Sequence, residues 1–126
     1  GFSSLLAGRS DVASAVMCIP YIENLDVLPA GQTPPNPQEL LNRPTLTELL
    51  QYARKAYDIV LIDTSSLSSG ADAMIVAARA GSALAVARAN ETKIAAYSAL
   101  IAELRRSGIQ LVGAVLNNPP LIDVAT

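Results

Sequence analysis

The apolar positions of this chain change period several times, and each change predicts an element. Leu46, Leu49, Leu50, Ala53 and Tyr57 recur at helical spacing and lay one apolar face along a helix. The helix leads straight into Ile59-Val60-Leu61-Ile62, an unbroken branched run that ends abruptly in Asp63 and Thr64. Such a run predicts a buried parallel strand with helices over both faces. Residues 83–89 and 111–116 repeat the strand pattern. Between them a helix capped by Asn90 or Thr92 runs to Ser107, with Ile94, Tyr97, Ile101 and Leu104 on one face and Gly108 ending it. Residues 72–80 predict another helix, with Asp72 suited to its dipole and Gly81 as its stop.

The first third is less regular. Residues 2–6 predict a short helix closed by Gly8. Residues 12–28 are apolar but broken by Pro20 and Glu23-Asn24, which predicts two short strands at residues 15–19 and 25–28. Gly31, Pro34, Pro35 and Pro37 make residues 29–37 a loop. Its Pro34–Pro37 spacing suits either a stiff connector or a ligand for a polyproline-binding module. Asn36-Pro37-Gln38-Glu39 and Thr45-Leu46-Thr47-Glu48 both carry helix-start patterns. Residues 64–70 form a polar, serine-rich loop, either a solvated connector or a segment that moves over a ligand. The closing order of helix, strand, helix, strand, helix, strand argues for βαβ units. The expected fold class is therefore α/β, a three-layer, mostly parallel sheet with helices on both faces. Residues 1–126 form one domain at most.

Composition narrows the chemistry. Apolar residues make up 51% and charged residues 16%, a globular balance. A net charge of −2 gives no electrostatic footprint for nucleic acid. The basic pairs Arg54-Lys55 and Arg105-Arg106 read as solvated helix ends. There is no histidine, so Ser-His catalysis and most zinc chemistry fall away, and acid–base or metal work must use carboxylates. Cys18 is the only cysteine, which excludes an intrachain disulfide, fits a reducing compartment and predicts a buried packing role. No apolar run is long enough to span a membrane. The opening Gly1-Phe2-Ser3, without an initiator Met, suggests a piece of something longer.

Four positions could carry chemistry. Asp63, at the carboxyl end of its expected strand, stands where open α/β sheets bind ligands. It reads as a catalytic Mg²⁺-side carboxylate or as a turn acid bonded to the backbone two residues on. Thr64 could add a hydroxyl beside the metal or cap the loop. Asn117 follows the last strand, and its amide carries the donor and acceptor that an adenine edge needs; a turn asparagine ahead of Pro119-Pro120 is the alternative. Arg88 ends the middle strand and could meet a phosphate or pair with Glu91.

Taken together, LDVLPAG at residues 25–31, PPNP at residues 34–37 with Glu39-Leu40-Leu41, YDIVLIDT at residues 57–64 and GAVLN at residues 113–117 resemble the bacterial tyrosine kinases of capsular and exopolysaccharide synthesis. The opening residues 1–9 also match that family, which lies in the MinD/ParA-like branch of P-loop ATPases. The resemblance implies a cytoplasmic enzyme on the inner face of the membrane. It would use ATP and Mg²⁺ to phosphorylate tyrosines of a neighbouring subunit, as a homo-oligomer with a membrane polysaccharide co-polymerase as partner. By position, Asp63 matches the Walker B acid, Asn117 the asparagine near adenine, and Arg88 an arginine after the next strand. No GxxxxGK[ST] phosphate loop occurs in the 126 residues, so the P-loop strand is expected outside them and the chain alone is expected to be inactive. An exposed sheet edge and poor solubility should follow. The family's DTPP becomes Asp63-Thr64-Ser65-Ser66, and the tyrosine-rich tail has no counterpart, since the chain closes LIDVAT. Tyr21, Tyr52, Tyr57 and Tyr97 are expected to pack, not to accept phosphate. Two other readings stay open: a P-loop-free pseudo-kinase that binds the co-polymerase, and a MinD/ParA-type positioning ATPase.

Overall fold

The computed structural model describes residues 1–121, so the end of the tail after Leu121 lies outside the described residues. The chain divides into two compact units, Gly1–Arg79 and the remainder from Ala80.

The first unit gathers five α-helices and a short 3-10 turn at Leu67–Ser69. The α-helices are α1 (Phe2–Leu6), α2 (Val12–Ala15), α3 (Pro37–Leu41), α4 (Pro44–Ala56) and α5 (Asp72–Ala80), the last ending at the unit boundary. Leu6, Leu40, Leu41, Leu46 and Val76 form its core, with Phe2, Leu50 and Ile75 packed against them. This is the apolar face that the spacing of α4 predicts, with Leu46 and Ala53 both buried. Arg79 of α5 donates to Thr47 Oγ1 at 2.6 Å and to the Asn42 carbonyl at 3.3 Å, pinning α5 beside α3 and α4.

Several local readings are corrected. Residue 15, expected to open a strand, instead ends the short helix α2. Asp11 caps α2 by accepting from the Ser14 amide at 2.8 Å, and the Ser14 hydroxyl together with that amide holds its carboxyl below the usual range. The expected strands shrink to β1 (Met17–Cys18) and β2 (Asp26–Val27), an antiparallel pair with Cys18 opposite Asp26. The Thr45 capping box is absent, because Pro44 starts α4 with Arg43 before it. Thr45 Oγ1 instead donates to the Leu6 carbonyl at 3.1 Å, satisfying an acceptor at the end of α1.

The largest departure is the run Ile59-Val60-Leu61-Ile62. It forms no ladder, and Ile59 and Leu61 are 79% and 86% exposed. An apolar run becomes a buried strand only when neighbours bond its edges and cover its faces, and no such neighbour stands beside it among the described residues.

The second unit is simpler. Strands β3 (Ser82–Arg88) and β4 (Gln110–Asn117) pair in parallel, joined by α6 (Ile94–Arg106). A parallel pair needs such a crossover, and the βαβ order predicts it. Alternate residues of β3 are covered, with Ala85 buried, and Leu104 and Ile109 are buried too. The opposite face is bare: Leu84, Val86 and its register partner Val115 are exposed. Neither expected cap serves α6, which starts after Lys93. Thr92 Oγ1 accepts from the Arg88 amide at 2.8 Å, and Asn90 takes a left-handed turn at φ 63°.

Candidate functional site

Asp63, Thr64 and Ser65 stand at the end of the unpaired run and line a cavity of about 230 Å³ in the first unit. The opposite walls come from Phe2, Ser3 and Leu6, from the loop Ala30–Pro34 with Pro37, from Leu40 and Leu41, and from Asp72, Ala73 and Val76.

Backbone bonds fix this geometry. The Phe2 and Ser3 amides, free donors at the start of α1, donate to the carbonyls of Pro29 and Ala30 at 2.6 and 3.0 Å. That clamps the helix start to the loop. Gly31 there has φ +80°, and a Cβ on it would stand 2.8 Å from Ser3 Oγ, so the close approach requires glycine.

A second clamp leads into Asp63. Tyr57, at the end of α4, donates its hydroxyl to Asp26 Oδ2 at 2.7 Å. This hydrogen bond pushes the phenol up to about 12 and holds the Asp26 carboxyl below its usual range. The Cys18 thiol, on the paired strand, also hydrogen-bonds Asp26 and is pushed up. Cys18 is exposed, contrary to the expected buried role, and its raised thiol disfavours the reactive thiolate. Tyr57 is thus committed to a structural bond. Tyr21, 97% exposed, and the exposed Tyr52 do not have the packing role the sequence suggested.

The alternative reading of Asp63 as a turn acid has no support in the hydrogen bonds. No bond joins Asp63 to the Ser65 amide among the described residues. Asp63 is exposed and is one of the residues that line the cavity. No group of three or more His, Cys, Asp or Glu residues could cage a metal among the described residues. One carboxylate with an adjacent hydroxyl nevertheless fits the donor set of Mg²⁺, which keeps waters and takes its other oxygens from substrate phosphates.

Arg88 and Asn117 meet in the second unit. They are register partners at the carboxyl ends of β3 and β4, and the Ala89 amide donates to the Asn117 carbonyl at 3.0 Å. Arg88 reaches Glu91 at 3.4 Å in an exposed ion pair, the surface pairing that the sequence left open. Such a pair is weak and leaves the guanidinium available. Asn117 Oδ1 accepts from the Asn118 amide at 3.0 Å. The turn role of Asn117 is therefore realised through its oxygen.

Sequence reasoning missed Asp72 as a site residue. Helix-dipole logic accounts for an acid in the first turn of α5. It does not reveal that this turn borders the same cavity as Asp63.

An α/β chain with a parallel ladder, a βαβ crossover and an open acid after an apolar run has the form of P-loop-type kinase domains, and comparison places it there. It superimposes on the kinase domain of Escherichia coli tyrosine kinase ETK with a TM-score of 0.88 and 33% identity, covering 100% of this chain and 48% of that one. The BceF tyrosine kinase domain gives a TM-score of 0.79 at 32% identity, over 92% of this chain and 48% of that one. In sequence, the tyrosine-protein kinase wzc of Salmonella typhimurium is 39% identical over 118 residues, 94% of this chain. The putative tyrosine-protein kinase EpsB of Ralstonia solanacearum is 35% identical over 117 residues. Over nearly its whole length the chain is similar to one part of these bacterial tyrosine kinases, as its motifs suggest. It spans 16% of the length of each of these two curated relatives. No family model matches it. No helix among the described residues is long and apolar enough to cross a membrane.

Proposed function

We propose that this chain is the metal-side half of an ATP-dependent protein-tyrosine kinase domain, the other half being carried by a longer protein. The observation that carries this reading is the open Asp63 carboxylate at the end of an apolar run left without strand partners. Asp63 would help to hold Mg²⁺, directly or through a water, with the Thr64 hydroxyl beside it, and the metal would supply charge neutralisation at the nucleotide's phosphates. Arg88 faces phosphate or an acidic partner, and the Asn117 amide lies near adenine. The chain forms a single, incomplete domain. It works as a homo-oligomer at the inner face of the cell membrane, with a polysaccharide co-polymerase as partner, and regulates capsule or exopolysaccharide polymerisation and export.

Phosphoryl transfer is positioning plus charge neutralisation, so one carboxylate without a phosphate loop does little. The 126-residue chain alone should show no tight binding of Mg·ATP by isothermal titration. The longer protein should bind it and transfer the γ-phosphoryl group to tyrosine. Micromolar affinity in the chain alone would refute the division of labour.

A further inference from the structure

The tyrosines of the chain stand in different settings. Tyr57 is committed, its hydroxyl donating to Asp26 at 2.7 Å. Tyr52 and Tyr97 lie within α4 and α6, and drawing either away from its surface would break helical hydrogen bonds. Tyr21 is 97% exposed and sits in the loop that joins β1 to β2. The Ile22 amide donates to the Ile19 carbonyl at 3.2 Å, which closes a four-residue turn with Pro20 second and Tyr21 third. Pro20 presets that turn. The Ile19 amide closes the base of the loop by donating to the Leu25 carbonyl at 3.1 Å. The strands beneath are two residues each, so the tip adjusts at little cost. A ring wholly in water contributes no burial, so modifying it costs the fold nothing.

We propose that Tyr21 is a phosphoryl-acceptor site of this protein, modified by the kinase site of a second copy. The proposal rests on the kinase reading and names a substrate for it. The Tyr21 oxygen bonds the γ-phosphorus of ATP, the bond from that phosphorus to the bridging oxygen of ADP breaks, and the phenol proton passes to solvent. The donor site belongs to another copy because Tyr21 is not among the residues that line the cavity beside Asp63. The Tyr57–Asp26 bond also ties β2 to the end of α4, which keeps the hairpin from swinging toward it. The modified turn gains a charge of about −1.5 to −2. Residues 10–42 carry no Lys or Arg, so no cation of its own segment draws the phosphate onto the surface.

The test uses the longer protein. A copy carrying Asp63→Asn, which the kinase reading leaves without transfer of its own, is mixed with the active protein and ATP. Tandem mass spectrometry then places the phosphate on each tyrosine of each copy. Phosphate should build up on Tyr21 of the Asp63→Asn copy at least tenfold faster than on Tyr52, Tyr57 or Tyr97. Tyr21 left bare while other tyrosines of the protein carry phosphate would overturn the proposal and leave the kinase reading standing. Phosphate on Tyr21 of the active copy alone would also overturn it, since transfer would then run within one chain. No phosphotyrosine on either copy would end the kinase reading, and the proposal with it.

Discussion

Two apolar runs, one wholly branched and one rich in alanine, meet opposite fates in this molecule. Residues 59–62 stand unpaired and exposed, whereas residues 83–87 lie within β3, bonded to β4 and covered on one face. Local propensity would favour the strand in residues 59–62 over residues 83–87, the reverse of what is found. The difference lies in what the chain supplies around each run. Residues 83–87 are followed by a crossover helix and a second strand that returns in register. Residues 59–62 are followed by a polar loop and α5, which offer no ladder. A strand is therefore a property of its neighbours as much as of its residues, and a bare apolar run marks where neighbours are owed.

The sharpest way to break this comparison is to put the same charge into both runs. Ala85→Asp places an unpaired carboxylate at a buried position and should cost about 3–5 kcal/mol. Leu61→Asp, at an exposed position, should change stability by no more than about 0.5 kcal/mol and should improve solubility. Urea unfolding of both variants measures the contrast, and equal losses would mean that residues 59–62 are packed after all.

A smaller effect tests whether the acid after the bare run is nevertheless held in place. Gly31→Ala puts a side chain on a left-handed backbone and drives it toward Ser3. It should cost about 1–2 kcal/mol. It should also disturb the resonances of Asp63 and Thr64 through the shared cavity, without affecting β3 and β4.

The smallest effect concerns the Tyr57–Asp26 clamp, and it follows pH. The Asp26 carboxyl is depressed, so its contribution is present above its unfolded value and fades as pH falls through the folded one. Tyr57 is raised, so its contribution is complete below the unfolded phenol value and fades as pH rises through about 12. The clamp should hold from weakly acidic pH to about 10. An absorbance titration should place one tyrosine near 12, and Tyr57→Phe should remove that step and lower the unfolding midpoint slightly.

The longer elements were legible because periodicity reports them directly. The face of α4, the span of α5 with its Gly81 stop, and the β3–α6–β4 crossover all follow from spacing. The irregular first third was not, because short elements rest on single bonds. Asp11 caps a helical turn that ends at Ala15, and Pro44 starts the helix ahead of the position that the Thr45 pattern predicts. In the site, the acid at the end of an apolar run was readable, and so was the placement of Arg88 and Asn117 at strand ends; that they are register partners was not. The part played by Asp72 was not, since its nearness to Asp63 depends on how α5 packs in the first unit.

The most direct measurement is the Mg²⁺ dependence of ATP affinity in the longer protein, with and without Asp63→Asn. The account predicts that Mg²⁺ tightens ATP binding in the parent and that this gain falls at least tenfold in the variant, with metal-free binding unchanged. An equal Mg²⁺ gain in both proteins would contradict it.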